Sequence, residues 1–313
     1  MAAAGETGLR AGALTVGLLS EAIRVEIMRA LAGPFTALSI PEDYKGEVHP
    51  HPRVELDEPV DPEMEQKYVL SPLGRARLPT ADAIELWLLK APGGPLAYDD
   101  RRAKWAIELL SEAWGHGLVH AFAAGPTGTA DAIARCEIPY RPAKRLLAKL
   151  CRVGLAEVVT DPGGTQLHAP TEWLRRAIGP LTSAARVESV DPPAGARPVD
   201  ALDVEAAMQL AVPLVRLGEE ACGTCRLVVR VGPAGRRYPA GATVGIREGQ
   251  ILSCQPELKS DADAEAVGEL GPWFGALIDR RPRRLRFEGD HRLAHDLVAA
   301  VGTALFDESS FVR

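Results

Sequence analysis

The chain has 313 residues, 46% of them hydrophobic and 25% charged, with a net charge of −6. That is the composition of a folded globular protein of two or three domains, and it excludes a wholly disordered chain. No run of about 18 apolar residues occurs, so no membrane-spanning helix is expected. Met1 to Leu14 lacks the basic start and apolar core of a signal peptide. Five cysteines, a low and odd number, argue against a disulfide framework and for a reducing, cytoplasmic setting.

The charge is unevenly spread. Residues 1–100 carry a net of −7, residues 101–190 a net of +4 and residues 191–313 a net of −3. If the chain touches nucleic acid, the middle segment is where electrostatics favour it.

In chain order, a repeat comes first. Gly17-Leu18-Leu19-Ser20-Glu21-Ala22 returns as Glu108-Leu109-Leu110-Ser111-Glu112-Ala113, and Ile27 to Ala32 matches Leu118 to Ala123 without a gap. Gly33-Pro34 then meets Gly125-Pro126, a helix stop in both copies. The pattern predicts a tandem duplication of about 90 residues. Between Ile40 and Glu65 the first copy is rich in proline and acidic residues and reads as an extended strap where a third helix would sit. The second copy is complete. A short helix over Thr129 to Arg135 is followed by a break at Glu137-Ile138-Pro139 and a helix over Arg141 to Val153, stopped by Gly154. Strands over Leu155–Val159 and Thr165–His168 flank a turn at Asp161-Pro162-Gly163-Gly164, and a last helix starts near Pro170. Helix, helix, turn, helix, hairpin is the order of a winged helix-turn-helix.

Residues 188–200 read as a linker. Beyond it the pattern predicts a helix over Val204 to Leu217 and strands over Cys225–Val231, Ala242–Arg247 and Ile251–Cys254, with a hairpin turn at Glu248-Gly249. Helices over Asp263–Ile278 and Arg292–Phe306 flank a short strand over Leu285–Glu288. The fold expected is mixed and α-rich. A degenerate winged unit with its strap (1–98) precedes a winged helix-turn-helix unit (99–187), the linker (188–200) and an α+β domain with an antiparallel-rich sheet (201–313).

The second copy resembles the HxlR-type winged helix regulators, near the MarR-like group. The resemblance is carried by Trp114, its spacing to Gly125-Pro126, Leu146 to Leu150, and Val153-Gly154-Leu155-Ala156. Glu112-Ala113 stands where that family has Gly-Lys, and Val153 where it has Asp. The first copy, over Tyr68 to Arg75, Leu78-Pro79 and Trp87, is similar to the end of the same unit. The last domain is similar to the sterol-carrier-protein type two group through Leu285 to Asp290, the apolar helix through Leu297, Val301 and Leu305, and Trp273 upstream. The resemblance implies dimeric DNA-binding regulators in the first case and an apolar small-molecule pocket in the second.

Arg141, Lys144, Arg145 and Lys149 share one side of the third helix, where a winged helix meets duplex DNA. The turn at Asp161 carries no Lys or Arg, which counts against a wing gripping the minor groove. Glu112, His116 and His120 fall at i, i+4 and i+8; with Trp114 and Trp273 they are the candidate ligand-binding residues, and no metal site is expected from them. Cys222-Gly-Thr-Cys225 precedes a strand, the wrong setting for a redox pair, and has no second pair for zinc. No cofactor-binding motif and no catalytic constellation is recognisable. The function expected is a ligand-responsive transcriptional regulator that binds double-stranded DNA and an apolar small molecule, as a monomer or homodimer, with no membrane association. The alternative is a former regulator recruited as a small-molecule-binding protein or cofactor-independent enzyme that does not bind DNA.

Overall fold

A computed structural model describes residues 9–21, 25, 48–50, 68–70, 72–233 and 235–307. Its first elements are helix α1 (Ala13–Leu18), the short antiparallel pair β1 (Val48–Pro50) and β2 (Tyr68–Leu70), and helix α2 (Pro72–Leu88). The rest of the strap, and the first copy's Gly33-Pro34, lie outside the described residues.

Next come α3 (Arg101–Gly115), α4 (Leu118–Ala123), β3 (Thr127–Gly128), α5 (Thr129–Arg135), α6 (Tyr140–Val153), β4 (Ala156–Thr160) and β5 (Gln166–Pro170). Asp100 caps α3 by accepting the Arg102 N–H, and Thr171 caps α7 (Glu172–Arg176) by accepting the Leu174 N–H. Helix α8 (Ile178–Val190) closes the unit. The three strands form an antiparallel sheet in the order β3-β5-β4. In α6, Ala143, Leu146, Leu147, Leu150 and Val153 are buried at helical spacing, which fixes the face turned to the core.

Helices α2 and α7 meet across a nearly symmetric contact. Trp87 at the end of α2 and Trp173 in α7 stack with centroids 4.7 Å apart and planes at 15°. Each indole N–H donates to the other residue's carbonyl, at 2.8 and 3.0 Å. Both rings are buried, so neither polar group is left without a partner.

The last segment holds α9 (Ala201–Ala211), then β6 (Gly223–Val231), β7 (Tyr238–Arg247), β8 (Gln250–Gln255), β9 (Ala264–Glu269), α10 (Leu270–Leu277), β10 (Arg286–Gly289) and α11 (His291–Phe306). Their sheet has the order β10-β9-β6-β7-β8, with β6 and β9 parallel and every other pair antiparallel. Glu248 and Gly249, both at positive φ, make the expected two-residue turn between β7 and β8. The fold is therefore mixed α and β with antiparallel-rich sheets.

Three expectations are corrected. Ala264–Glu269 is a strand, not the start of a helix: its alanines and glutamates favour helix locally, but β6 and β10 pair with it on both sides. Helix α9 stops at Ala211, and Val212–Leu214 tightens into a 3₁₀ turn around Pro213. The expected linker is not free. Helix α8 runs through Val190; beyond it the Leu9 N–H donates to the Gly195 carbonyl and the Arg197 N–H to the Leu9 carbonyl, both at 2.9 Å. Among the described residues one continuous hydrophobic core runs from Val16 in α1 to Leu305 in α11.

Candidate functional site

The cationic face of α6 comes first. Apolar residues at 143, 146, 147, 150 and 153 hold the helix against α3, which leaves Arg141, Lys144, Arg145 and Lys149 exposed, together with Arg152. None of these five makes an ion pair or side-chain hydrogen bond with a described residue. Five exposed cations on one helix make a local positive surface, which attracts polyanions.

The second feature is an apolar cavity of about 100 Å³ between α8, α9, α10, α11 and β6. Trp114 and Trp273, far apart in sequence, both line it. The Trp114 N–H donates to the Ala11 carbonyl at 3.1 Å, and the Trp273 N–H to the Val228 carbonyl at 2.8 Å. With both N–H groups held by backbone, the rings offer the cavity only apolar surface. Thr182 supplies the one hydroxyl of the lining and Asp203 the one charge. The predominantly apolar lining suits an apolar group. Ala11, Ala185, Val199 and Leu270 also border a wider cleft of about 680 Å³ on the other side.

Asp203 links the cavity to the rest of the molecule. Asp200 and Asp203 form a reciprocal capping box at the start of α9. Asp203 also accepts from Arg10 at 3.1 Å and from His120 Nε2 at 3.0 Å. The Arg10 guanidinium reaches Asp200 at 3.3 Å and Glu137 at 2.7 Å, and Arg197 holds the other Glu137 oxygen at 2.8 Å. Arg10 thus ties the N-terminal segment to α9 and to the turn that leads into α6. Burial works against the Arg10 charge, but Asp203, Asp200 and Glu137 outweigh it and raise its pKa. Burial likewise opposes ionisation of Asp203, and the hydrogen bonds and charges around it nevertheless hold it below the usual carboxylate range. Burial dominates at His120 and pulls its pKa below the ordinary imidazole value, against the pull of Asp203. His120 is therefore neutral, with the proton on Nε2. Its Nδ1 is buried with no hydrogen-bond partner, and its ring lies 4.2 Å from that of Trp114.

The site residues expected from sequence divide accordingly. Trp114, Trp273 and His120 converge on the cavity or its polar edge. Glu112 is exposed and His116 half-buried, and neither lines it. The expected single face of Glu112, His116 and His120 does not exist, because α3 ends at Gly115 and Gly117 at φ 74 starts a new helix. Arg10, Glu137 and Asp203 escaped the sequence reading: Arg10 and Asp203 are 193 positions apart, and no local pattern joins them. Cys225 is buried, with its thiol pushed up to about 12 by burial and by Glu265 and Asp290, while Cys222 is exposed. No group of residues suited to a metal ion occurs among the described residues.

The His120 environment sets a pH dependence. An imidazole whose folded pKa is depressed binds its proton more readily when unfolded, so stability falls as pH drops below the ordinary value of about 6.5. The urea midpoint is expected to decrease between pH 7.5 and 5.5. His120→Gln should flatten part of that slope and leave the part due to His168, which burial also holds down. An unchanged slope in that variant would mean that His120 is not the group titrating.

No helix among the described residues is long and apolar enough to cross a membrane. Compared with known proteins, the chain matches no family model, no curated protein and no solved structure.

Proposed function

We propose that the chain is a DNA-binding regulator whose affinity responds to an apolar small molecule. The observation that carries this reading is the exposed face of α6, where Arg141, Lys144, Arg145, Lys149 and Arg152 stand without acidic partners. The order α3, β3, α5, α6, β4, β5 and the sheet order β3-β5-β4 support a winged helix-turn-helix, in which the third helix enters the major groove. Arginine there reads guanine edges, and lysine neutralises phosphate. The Trp87–Trp173 contact supports a pairing of two winged units within one chain, so that a monomer already presents an internal pair.

The cavity supplies the ligand side. Its wall includes Asp203, Asp203 binds Arg10, and Arg10 binds Glu137 just before α6. A ligand that favours one position of α9 over another biases the position of α6 by the difference in its two affinities. A second reading keeps the ligand and drops the DNA. It is favoured by the exposed hairpin tip, where Asp161 and two glycines stand in place of a basic wing residue.

Fluorescence anisotropy with mixed-sequence duplex DNA tests the first reading. Binding is expected to weaken steeply with salt, with a log–log slope of about −0.9 per phosphate neutralised. Absence of binding at about 50 mM salt, where such contacts are strong, would overturn it in favour of the second.

A further inference from the structure

Outside both regions, a thiol, an imidazole and a hydroxyl stand in line. Cys151 Sγ on α6 is 3.5 Å from His168 Nδ1 on β5, and His168 Nε2 is 2.9 Å from Oγ1 of Thr129, the first residue of α5. All three are half-buried. Cys151 also lines an open pocket of about 920 Å³ beside Lys90, Glu157, Trp173 and Arg176. None of the other four cysteines has a hydrogen bond to a histidine. Cys136 donates to the Ile133 carbonyl at 3.1 Å, Cys254 to the Met208 carbonyl at 3.6 Å, and Cys222 accepts the Glu248 N–H at 3.3 Å.

With the Nε2 proton donated to Thr129, Nδ1 carries the free lone pair and faces the thiol. Nucleophile, base and orienting group are then in the order that activates a weak nucleophile. Burial pushes the Cys151 thiol up and pulls the His168 imidazole down, so both are neutral at rest. The thiolate forms only as its proton moves to Nδ1. In register, His168 stands opposite Thr127 on β3 and Val158 on β4, neither of which titrates.

We propose that Cys151 is a modification site for soft electrophiles of the α,β-unsaturated carbonyl class, with His168 as its base and Thr129 as a positioning residue. The step balances without an oxidant or a leaving group. The Sγ–H proton passes to Nδ1 and an S–C bond forms at the β-carbon. The C=C π pair shifts to an enolate, and the Nδ1 proton then ends on the α-carbon. Lys90 and Arg176 line the same pocket. The adduct would stand where α6 meets the hairpin, but the reactivity itself does not depend on DNA binding.

The test is labelling of the native full chain with N-ethylmaleimide between pH 5 and 9, with rates at each cysteine read by peptide mass spectrometry. Exposed Cys222 is the internal reference. Its rate should keep climbing across that whole range. The Cys151 rate should instead rise through the His168 titration below about 6.5 and level off by pH 7. His168→Gln should slow Cys151 at pH 7 by about tenfold or more, leave Cys222 unchanged and convert the Cys151 profile to the Cys222 shape. Thr129→Val should slow Cys151 less, and Thr129→Ser should restore it. Absence of label at Cys151, or a wild-type profile that parallels Cys222, overturns the proposal without any variant being made.

Discussion

Replacing Arg10 by Met should lower the unfolding free energy by about 3 kcal/mol at pH 7.5, the cost of removing one partner from a buried charge pair. Arg10 is 5% exposed and faces three carboxylates at once. Without it Asp203 stays buried beside Asp200, and His120 is the one group left in contact that can balance the charge. Loss of Arg10 removes one positive charge that holds the His120 pKa down, so the depression becomes smaller while burial keeps its direction. The stability that the wild type loses through His120 as pH falls below about 6.5 is therefore smaller in Arg10→Met. The deficit of the variant should shrink between pH 7.5 and 5.5 in urea unfolding. A deficit of equal size at both values would show that Arg10 does not set the charge state of the Asp203–His120 pair.

The second large effect is on DNA. Arg141→Ala with Arg145→Ala should weaken duplex binding by about 2–6 kcal/mol if both arginines meet base edges. If they meet phosphates instead, the slope of log affinity against log salt should fall by about 1.8 for the two. Stability should change by no more than about 0.5 kcal/mol, because both side chains are exposed and without described partners. That separation makes the result clear: a folded variant with unchanged affinity and slope removes α6 from the interface.

Much of the segment from Thr129 to Pro170 was legible in the sequence because its signals are local. Thr129–Arg135 and Tyr140–Val153 have helical periodicity and clear stops, and the turns at Asp161 and Glu248-Gly249 are written in residues that favour them. The strand Ala264–Glu269 was not legible, since its composition favours helix and only its neighbours in the sheet make it a strand. Trp114 and Trp273 could be named as ligand candidates separately. That they face one cavity depends on α9 packing between the helical unit and the sheet, for which no short-range pattern exists. The same holds for Cys151 and His168, which are unremarkable in sequence and meet only when the hairpin folds back on α6. The face expected of Glu112, His116 and His120 failed for the opposite reason: the spacing was regular, but Gly117 interrupts the helix that would have aligned it.

The continuous core has a consequence for how such a chain can change over generations. Because one apolar interior runs from α1 to α11, recombination cannot exchange the C-terminal sheet for another module without opening the helices that carry the cationic face. Nor can the helical unit be lent to another partner. The cavity can be reshaped one side chain at a time, and the charge of α6 one residue at a time. The two halves must therefore diversify together, as a single inherited unit.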